Sequence, residues 1–434
     1  MDPILIGLIG LGILFLLFFL GMPISFAMAF VGCLGYSYLV SPSAGIKILV
    51  RDFFTQFNSY PLTVISTFVL MGNYAFAAGI TNKLYQSSHK IFGSQKGGLA
   101  ITTLFTSAGF AAICGSTAAT VATVGKIAYP EMKSFKYNNL LSTGVIAASA
   151  TLGILIPPST IFIVYGIMTE QSIGKLFIAG IIPGLLLTFI FLLIIIALCA
   201  IKPELAPGGN PTPLKEKLKA LFNIWEIILL FVITMGGLFI GWFTPTQAGS
   251  IGAIGALLIG LFTKKLTWNN FQNATIDGVR VACMILFLIA GATIFSHFLA
   301  ITRLPFIMID FIKSTSLSTT SILILIIIFY LVAGCFIDAM ALIVLTIPIF
   351  YPLIKSLGVD PIWFGVIIVL VSQIGVISPP VGVNAYVMKG IAPEVPLSTI
   401  FSGSIIFSIG IIITTIIIII FPSLATWLPR ILKW

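Results

Sequence analysis

The fold is decided by residues 98–130, which read GLAITTLFTSAGFAAICGSTAATVATVGKIAYP. At a helical rise of about 1.5 Å per residue, this apolar segment is too long for one passage through a bilayer. Small and polar residues, Cys114-Gly115-Ser116-Thr117, interrupt it at its middle. We therefore predict a re-entrant hairpin that enters and leaves the membrane on one face, with its tip buried in protein or lining a cavity.

A second segment of this kind spans residues 319–350 and is interrupted by Gly334-Cys335-Phe336-Ile337-Asp338, which predicts a second hairpin. The remaining apolar stretches are of the length that one crossing requires. They predict about ten transmembrane helices, at residues 4–20, 22–40, 61–80, 139–166, 176–201, 224–243, 246–263, 279–302, 361–389 and 400–425. The expected fold class is an all-α polytopic membrane protein.

The composition excludes other classes. Of the 434 residues, 59% are hydrophobic and only 8% are charged, whereas roughly a quarter of a soluble chain is charged. A soluble enzyme is therefore excluded, and the continuously apolar runs exclude a membrane β-barrel, whose strands alternate apolar and polar residues. The net charge of +10 comes from Lys and Arg in short connections, which indicates membrane orientation rather than nucleic-acid binding.

These basic residues also predict the orientation of the chain. With ten crossings and two hairpins, both termini lie on the same side of the membrane. The connections on the opposite side carry 13 of the 22 Lys and Arg residues and those on the terminal side carry eight. By the positive-inside rule, the richer side is cytoplasmic and both termini face outward. The Pro/Gly-rich stretch 201–223 is then a cytoplasmic linker.

An internal repeat recurs at a spacing of 222 residues. Tyr129-Pro130 and Lys133 return as Tyr351-Pro352 and Lys355, and the pattern GxxxPP at residues 153–158 returns at 375–380. Each half holds five crossings, an odd number, so the second half is inverted and the two hairpin tips can meet near the midplane. The predicted halves are residues 1–200, with scaffold helices 4–80, hairpin 98–130 and broken helix 139–166, and residues 224–434, with scaffold helices 224–302, hairpin 319–350 and broken helix 361–389.

The double prolines indicate where chemistry takes place. Proline has no backbone N–H, so Pro157 and Pro158 free the carbonyls of Gly153 and Ile154, and the second pair frees those of Gly375 and Val376. A bound cation is one possible partner for such carbonyls in an unwound helix. A kink satisfied by a neighbouring helix or by water is the alternative.

Two of the ionisable side chains within apolar segments, Asp338 and His297, are candidates for function. Asp338 is costly at such depth and must be compensated, as a cation ligand, as a helix cap or as a contact to substrate hydroxyls. Its equivalent in the first hairpin, Ser116, precedes a helix N-terminus that suits an anionic group, and a Ser/Thr-rich packing interface is the alternative there. His297 is either a proton carrier or a hydrogen-bonded interfacial residue.

These motifs carry a family resemblance over essentially the whole chain. The stretches FAAICGSTAATVATVGKIAYPEM (110–132), TLGILIPPSTIFIVYG (151–166), AGCFIDAMALIVLTIPIFYPLIK (333–355) and QIGVISPPVGVNAYV (373–387) resemble the large, DctM-type membrane subunit of tripartite ATP-independent periplasmic (TRAP) transporters. The resemblance implies a bacterial inner-membrane, Na⁺-coupled secondary importer with an elevator mechanism and no organic cofactor. It also implies two partners, a small four-helix membrane subunit (Q type) and a periplasmic substrate-binding protein (P type). The implied substrates are organic acids such as C4-dicarboxylates or sialic acid.

The resemblance also implies site residues. The first sodium site would use Cys114, Gly153, Ile156 and Pro158, and the second Gly334, Gly375, Ser378 and Val381. The substrate would contact Ser116, Thr117, Ser159 and Asp338. Cys114 departs from the family, which usually has serine there, but a backbone carbonyl ligand would be unaffected.

Two alternatives come from other functional classes. A proton-coupled antiporter, or another anion carrier working without a binding protein, would need a buried relay, for which only Asp338 and His297 qualify. An intramembrane hydrolase would need a base near a nucleophile, and Ser116 has no histidine nearby in sequence. We therefore expect a carrier and not an enzyme.

Overall fold

The computed structural model describes residues 2–209, 212–315 and 317–432. Within these ranges, only the backbone of Lys313 is described. Residues 210 and 211 of the predicted linker, and residues 433 and 434 of the predicted second half, lie outside this range, and with them Lys433 of the charge count. The described residues fold predominantly into α-helices with several apolar spans, so the predicted all-α membrane class is confirmed.

Residues 2–209 form ten α-helices, two of which lie largely in stretches predicted to be connections. The ten helices are α1 (Pro3–Phe19), α2 (Ile24–Leu39), α3 (Pro42–Phe57), α4 (Thr63–Ala77), α5 (Ile80–Phe92), α6 (Gly98–Cys114), α7 (Thr117–Ser134), α8 (Asn139–Ser149), α9 (Thr160–Thr169) and α10 (Ile173–Ile201). A 3₁₀ turn, Ala150–Ile154, follows α8. The first predicted hairpin is thus the pair α6 and α7, and the first broken helix is α8 with α9.

The helices of residues 212–432 repeat this arrangement. They are α11 (Leu214–Asn223), α12 (Trp225–Phe231), α13 (Gly237–Phe239), α14 (Pro245–Phe262), α15 (Trp268–Thr302), α16 (Leu304–Ser314), α17 (Thr319–Gly334), α18 (Ala339–Ser356), α19 (Pro361–Ile377), α20 (Val383–Ile391), α21 (Leu397–Ile420) and α22 (Ser423–Ile431). A π turn, Val232–Gly236, joins α12 to α13. The second hairpin is α17 with α18, and the second broken helix is α19 with α20.

Not every predicted crossing is one straight helix. Within the described ranges, α10, α14, α15, α18 and α21 are each long and apolar enough to cross a membrane. The predicted crossing 61–80 ends at Ala77 and continues as α5 after a bend of 64°, and α11 bends by 43° into the helices that follow it. The predicted crossing 279–302 begins earlier, at Trp268, because its polar first turns are also helical.

Two groups of helices follow from the packing. In the first, α15 packs along α2 and α4, and α14 packs along α4; we call α1–α4 with α12–α15 the scaffold group. In the second, α8 packs on α21, α7 on α20 and α17 on α19; we call α6–α10 with α17–α21 the hairpin group. Small residues permit the close contacts, since a Cβ at Gly32 of α2 would lie 2.8 Å from the backbone of Phe295 in α15.

The 222-residue spacing reappears in the helix boundaries. α7 begins at Thr117 and α18 at Ala339, and α8 begins at Asn139 and α19 at Pro361. Both breaks contain a cis X-Pro bond, Pro157-Pro158 and Pro379-Pro380. The inverted orientation of the two halves stays a prediction.

Contacts between connections agree with the predicted sides of the membrane. The backbone N–H of Asn138 donates to the carbonyl of Leu205 over 3.0 Å, and both residues lie in connections predicted to be cytoplasmic. The Tyr165 hydroxyl donates to the carbonyl of Pro361 over 2.6 Å, and both lie near connections predicted to face outward.

Candidate binding site between the hairpin tips

A cavity of about 560 Å³ lies between the two hairpin tips and the scaffold group. Its polar lining consists of Ser25, Asn73, Cys114, Ser116, Thr117, Thr160 and Asp338. The scaffold side is mainly apolar and includes Met22, Ile24, Val281, Met284 and Leu288. The hairpin tips therefore supply most of the polar groups.

The first tip is ordered by Ser116. Its Oγ accepts a hydrogen bond from the backbone N–H of Ala119 over 3.4 Å, so it caps the N-terminus of α7. The carbonyl of Ser116 accepts from Oγ1 of Thr120 over 2.7 Å. Gly115, at φ +64°, makes the tight turn that a side chain would strain. The cap leaves Ser116 and Thr117 facing the cavity.

Asp338 occupies the matching position in the second tip. Its Oδ2 accepts from the backbone N–H of Met340 over 3.0 Å and caps α18. The carboxylate also lines the cavity. Of the roles that the sequence leaves open, the capping role is thus observed, and the cavity position leaves a ligand role available to the same side chain.

The electrostatics of the cavity follow from these caps. The first turns of α7 and α18 both face it, and helix N-termini favour negative charge. The carboxylate of Asp338 favours a cation. No Lys, Arg or His is found among the described residues that line the cavity. The lining thus suits an anionic ligand accompanied by cations.

At the first break, the backbone of the hairpin tip touches the broken helix. A Cβ at Gly153 would lie 3.0 Å from the carbonyl oxygen of Ser116, and a Cβ at Gly115 would lie 2.5 Å from that of Pro158. Oγ1 of Thr160 donates to the carbonyl of Gly115 over 2.8 Å. The predicted residues Cys114, Gly153 and Pro158 thus come from segments that meet, whereas the side chain of Ile156 packs toward Gly184 of α10.

At the second break, the hairpin tip and the broken helix lie closer together than at the first break. A Cβ at Gly375 would lie 2.0 Å from the carbonyl oxygen of Gly334, and the N–H of Val381 donates to the carbonyl of Cys335 over 3.2 Å. Ser378 ends α19 and is buried. The predicted residues of this site are therefore gathered around one backbone contact.

One freed carbonyl has a protein partner, contrary to the cation interpretation of that group. The carbonyl of Ile154 accepts a hydrogen bond from Oγ of Ser159 over 2.6 Å. Ser159 is fully buried, caps α9 and does not line the cavity. The structure therefore does not bring Ser159 to the other predicted substrate residues.

His297 lies away from the cavity. Its Nε2 is 3.1 Å from Oδ2 of Asp52 in α3 and 3.3 Å from a guanidinium nitrogen of Arg51. Asp52 is buried, and sequence reasoning missed it because it stands beside Arg51 in a stretch assigned to a connection. Of its two predicted roles, His297 therefore occupies the interfacial, hydrogen-bonded one.

Two polar residues on the scaffold side of the cavity were missed. Asn73 of α4 and Ser25 of α2 line it from the scaffold side. No motif marks them in the sequence, because an isolated amide or hydroxyl in an apolar helix is also an ordinary packing residue.

The chain is similar to a known protein family and to several characterised relatives. The family model described as "Tripartite ATP-independent periplasmic transporter, DctM component" matches residues 11–424. The C4-dicarboxylate TRAP transporter large permease protein DctM of Pseudomonas aeruginosa is 34% identical over 393 residues, which cover 90% of this chain and 91% of that protein. The sialic acid TRAP transporter large permease protein SiaM of Vibrio cholerae is 30% identical over 416 residues, covering 95% and 96%.

A third relative is longer. The isethionate TRAP transporter permease protein DctMQ of Oleidesulfovibrio alaskensis is 33% identical over 392 residues, which cover 90% of this chain and 61% of that protein. Among solved structures, the YdaH transporter of Alcanivorax borkumensis has a similar fold, with a TM-score of 0.64, 14% identity and 89% of each chain covered.

Proposed function

The chain belongs to the DctM component family of tripartite ATP-independent periplasmic transporters and is a large permease of that kind, and from this premise we propose that it is the membrane subunit of a Na⁺-coupled importer of an organic acid. The acid is of the C4-dicarboxylate or sialic acid type that the names of its relatives carry. It moves inward by an elevator motion in the bacterial inner membrane.

One observation carries the Na⁺ proposal: each hairpin tip touches the broken helix behind it through backbone, and a glycine sits at each contact. Gly153 lies against the carbonyl of Ser116 and Gly375 against that of Gly334. Hard cations take oxygen ligands, and unwound helices supply them as carbonyls. The two matched contacts therefore fit two small cations, with Cys114, Ile156 and Pro158 beside the first and Ser378 and Val381 beside the second.

The cavity between these contacts suits the organic acid. The carboxylate of the substrate binds at the first turns of α7 and α18. Ser116, Thr117 and Asp338 contact the polar groups of the substrate. Cations bound at the breaks offset the combined negative charge of substrate and Asp338. Ser159 acts indirectly, through the cap that orders α9.

The elevator proposal rests on the two helix groups. The cavity is bounded by the hairpin group on its polar side and by the scaffold group on its apolar side. Sliding the hairpin group along α2, α4 and α15 would carry the site from one membrane face to the other without opening the tips. The hairpins would thus stay attached to their broken helices throughout.

The partners follow from the family. We propose that a small four-helix membrane subunit covers part of the scaffold group, whose outer surface exposes large apolar residues such as Leu16 and Phe19 to lipid or protein. A periplasmic binding protein delivers the substrate. Both termini are placed on the periplasmic side, as the basic residues predict.

The proton-coupled alternative has one observation in its favour. The buried Asp52 lies 3.1 Å from Nε2 of the partly exposed His297, so two titratable groups meet there. Neither residue lines the cavity, so a proton there would not be transferred with the substrate. The Na⁺-coupled function is therefore the better supported.

Uptake is expected to require Na⁺. Vesicles holding the large and small subunits, supplied with loaded binding protein, should accumulate substrate with an inward Na⁺ gradient and not when K⁺ replaces Na⁺. Cys114→Ser should keep most of this uptake, because the proposed ligand at this position is the backbone carbonyl. Full-rate uptake in Na⁺-free buffer driven by a proton gradient would contradict the proposal.

A further inference from the structure

The repeated YPxxK motif has no part in the site described above. Tyr129 and Lys133 lie near the end of α7, and Tyr351 and Lys355 lie near the end of α18, at the base of each hairpin and away from its tip. Neither tyrosine lines the cavity. Their contacts indicate a different role.

The first motif contacts the other half of the chain. The Tyr129 hydroxyl donates to Oε1 of Glu394 over 2.9 Å, and the Lys133 ammonium forms an ion pair with the same oxygen. Glu394 lies between α20 and α21, directly after the second broken helix. Lys389 orders this connection by donating to the carbonyls of Pro393 and Val395, each over 2.8 Å.

The second motif makes the reciprocal contact. Nε2 of Gln171 donates to the Tyr351 hydroxyl over 3.0 Å, and Gln171 lies between α9 and α10, directly after the first broken helix. The same nitrogen also donates to the carbonyl of Thr169 over 3.2 Å, which fixes the amide. Each hairpin base is thus joined to the connection that follows the broken helix of the opposite half.

We propose that Tyr129, Lys133 and Tyr351, with their partners Glu394 and Gln171, are positioning residues that join the hairpins and broken helices into one rigid body, so that neither hairpin base separates during transport. The inference rests on the proposed function, since it concerns how the hairpin group moves. Tyr129, Lys133 and Glu394 form the first cross-contact, and Tyr351 and Gln171 form the second.

The two cross-contacts differ in charge. The hydrogen bond from Lys133 lowers the pKa of Glu394 to about 2, with Tyr129 contributing in the same direction, so the carboxylate remains ionised at every physiological pH. The second cross-contact joins an amide to a hydroxyl and carries no charge. Lys355, the equivalent of Lys133, is exposed and forms no ion pair among the described residues.

Cross-linking tests the proposal. In a cysteine-free background that retains Na⁺-dependent uptake, Lys133→Cys and Glu394→Cys are joined by a short bis-maleimide, and the cross-link is verified by mass spectrometry. The initial rate should stay within about twofold of the same protein before cross-linking, because the joined segments do not separate. If cross-linking stops uptake that the uncross-linked pair supports, the hairpin base must move and the proposal is overturned.

A charge reversal gives a second readout that does not depend on the cross-linker. Glu394→Lys places two cations together and should lower uptake roughly fivefold, whereas Lys133→Glu combined with Glu394→Lys should restore at least half of it. Lys355→Glu is the matched control for the Lys133→Glu change, because it alters the charge equally and has no acidic partner to lose. Unchanged uptake in Glu394→Lys would overturn the proposal, whereas loss of Na⁺-dependent uptake in the unmodified protein would instead refute the proposed function.

Discussion

Replacing Gly375 with alanine is expected to abolish Na⁺-dependent uptake. The added Cβ would lie 2.0 Å from the carbonyl oxygen of Gly334, which is far too short for a contact between two non-bonded atoms. The hairpin tip and the broken helix must therefore move apart, and the second cation site is lost with them. Gly375→Val should have the same effect, and overpacking of this kind costs about 1–3 kcal/mol of stability.

The chain offers graded controls for this substitution. A Cβ at Gly334 would have its nearest neighbours at 3.7 Å, so Gly334→Ala should retain uptake. A Cβ at Gly153 would lie 3.0 Å from the carbonyl oxygen of Ser116, so Gly153→Ala should be intermediate, and Gly153→Val should abolish Na⁺ dependence. Uptake at graded Na⁺ concentrations, with the amount of folded protein checked by size-exclusion chromatography, gives the comparison. Equal Na⁺ dependence in Gly375→Ala and Gly334→Ala would refute this site.

Asp338→Asn is expected to lower uptake by roughly tenfold to 100-fold, the loss associated with one hydrogen bond to a charged group. Asparagine caps helices as well as aspartate does, so α18 should keep its first turn, while the cavity loses the only carboxylate found among the described residues that line it. The initial rate of uptake and the thermal stability of the purified protein separate these two effects.

Asp360→Asn is the matched control. Oδ1 of Asp360 caps α19 by accepting from the backbone N–H groups of Ile362 and Trp363, and the residue does not line the cavity. It should leave uptake unchanged. If Asp338→Asn behaved like Asp360→Asn, Asp338 would be a cap alone.

The hairpins and the broken helices could be predicted because their signals are local. The interruption at Cys114 to Thr117 falls where α6 ends and α7 begins, and the interruption at Gly334 to Asp338 falls between α17 and α18. Small residues in the middle of a long apolar segment leave few other structures. The repeat spacing then fixed which residues correspond, and the candidate cation residues come from these segments.

The parts of the fold and of the site that the sequence did not predict depend on contacts between segments that are distant in the chain. The Asp52–His297 contact joins α3 to α15, and Ser159 satisfies a carbonyl that proline chemistry alone leaves free. The sequence predicts a connection at α3 because Lys47, Arg51 and Asp52 interrupt its apolar residues, and of these three only Asp52 is buried. Asn73 reaches the cavity only because α4 packs against the first hairpin.

Movement of the hairpin group past the scaffold group is the central claim, and one pair of positions reports on it directly. Gly72 of α4 lies against the first hairpin tip, and a Cβ there would be 2.9 Å from Cα, 3.3 Å from Sγ and 3.4 Å from Cβ of Cys114. Disulfides join Cβ atoms roughly 3.5–4.5 Å apart, so Gly72→Cys should form one with the native Cys114 after a small adjustment. This bond would join α4 to the hairpin tip.

The decisive measurement is uptake by Gly72→Cys, with the other four cysteines replaced by serine, before and after oxidation. Gly72→Ser measures the packing cost of the new side chain, and Gly72→Cys with Cys114→Ser controls for oxidation elsewhere. The account predicts that oxidation reduces uptake to background and that a reductant restores it, because the tip can no longer slide along α4. If the oxidised protein, with its disulfide verified by mass spectrometry, took up substrate as fast as the protein with free thiols, an elevator motion would be contradicted.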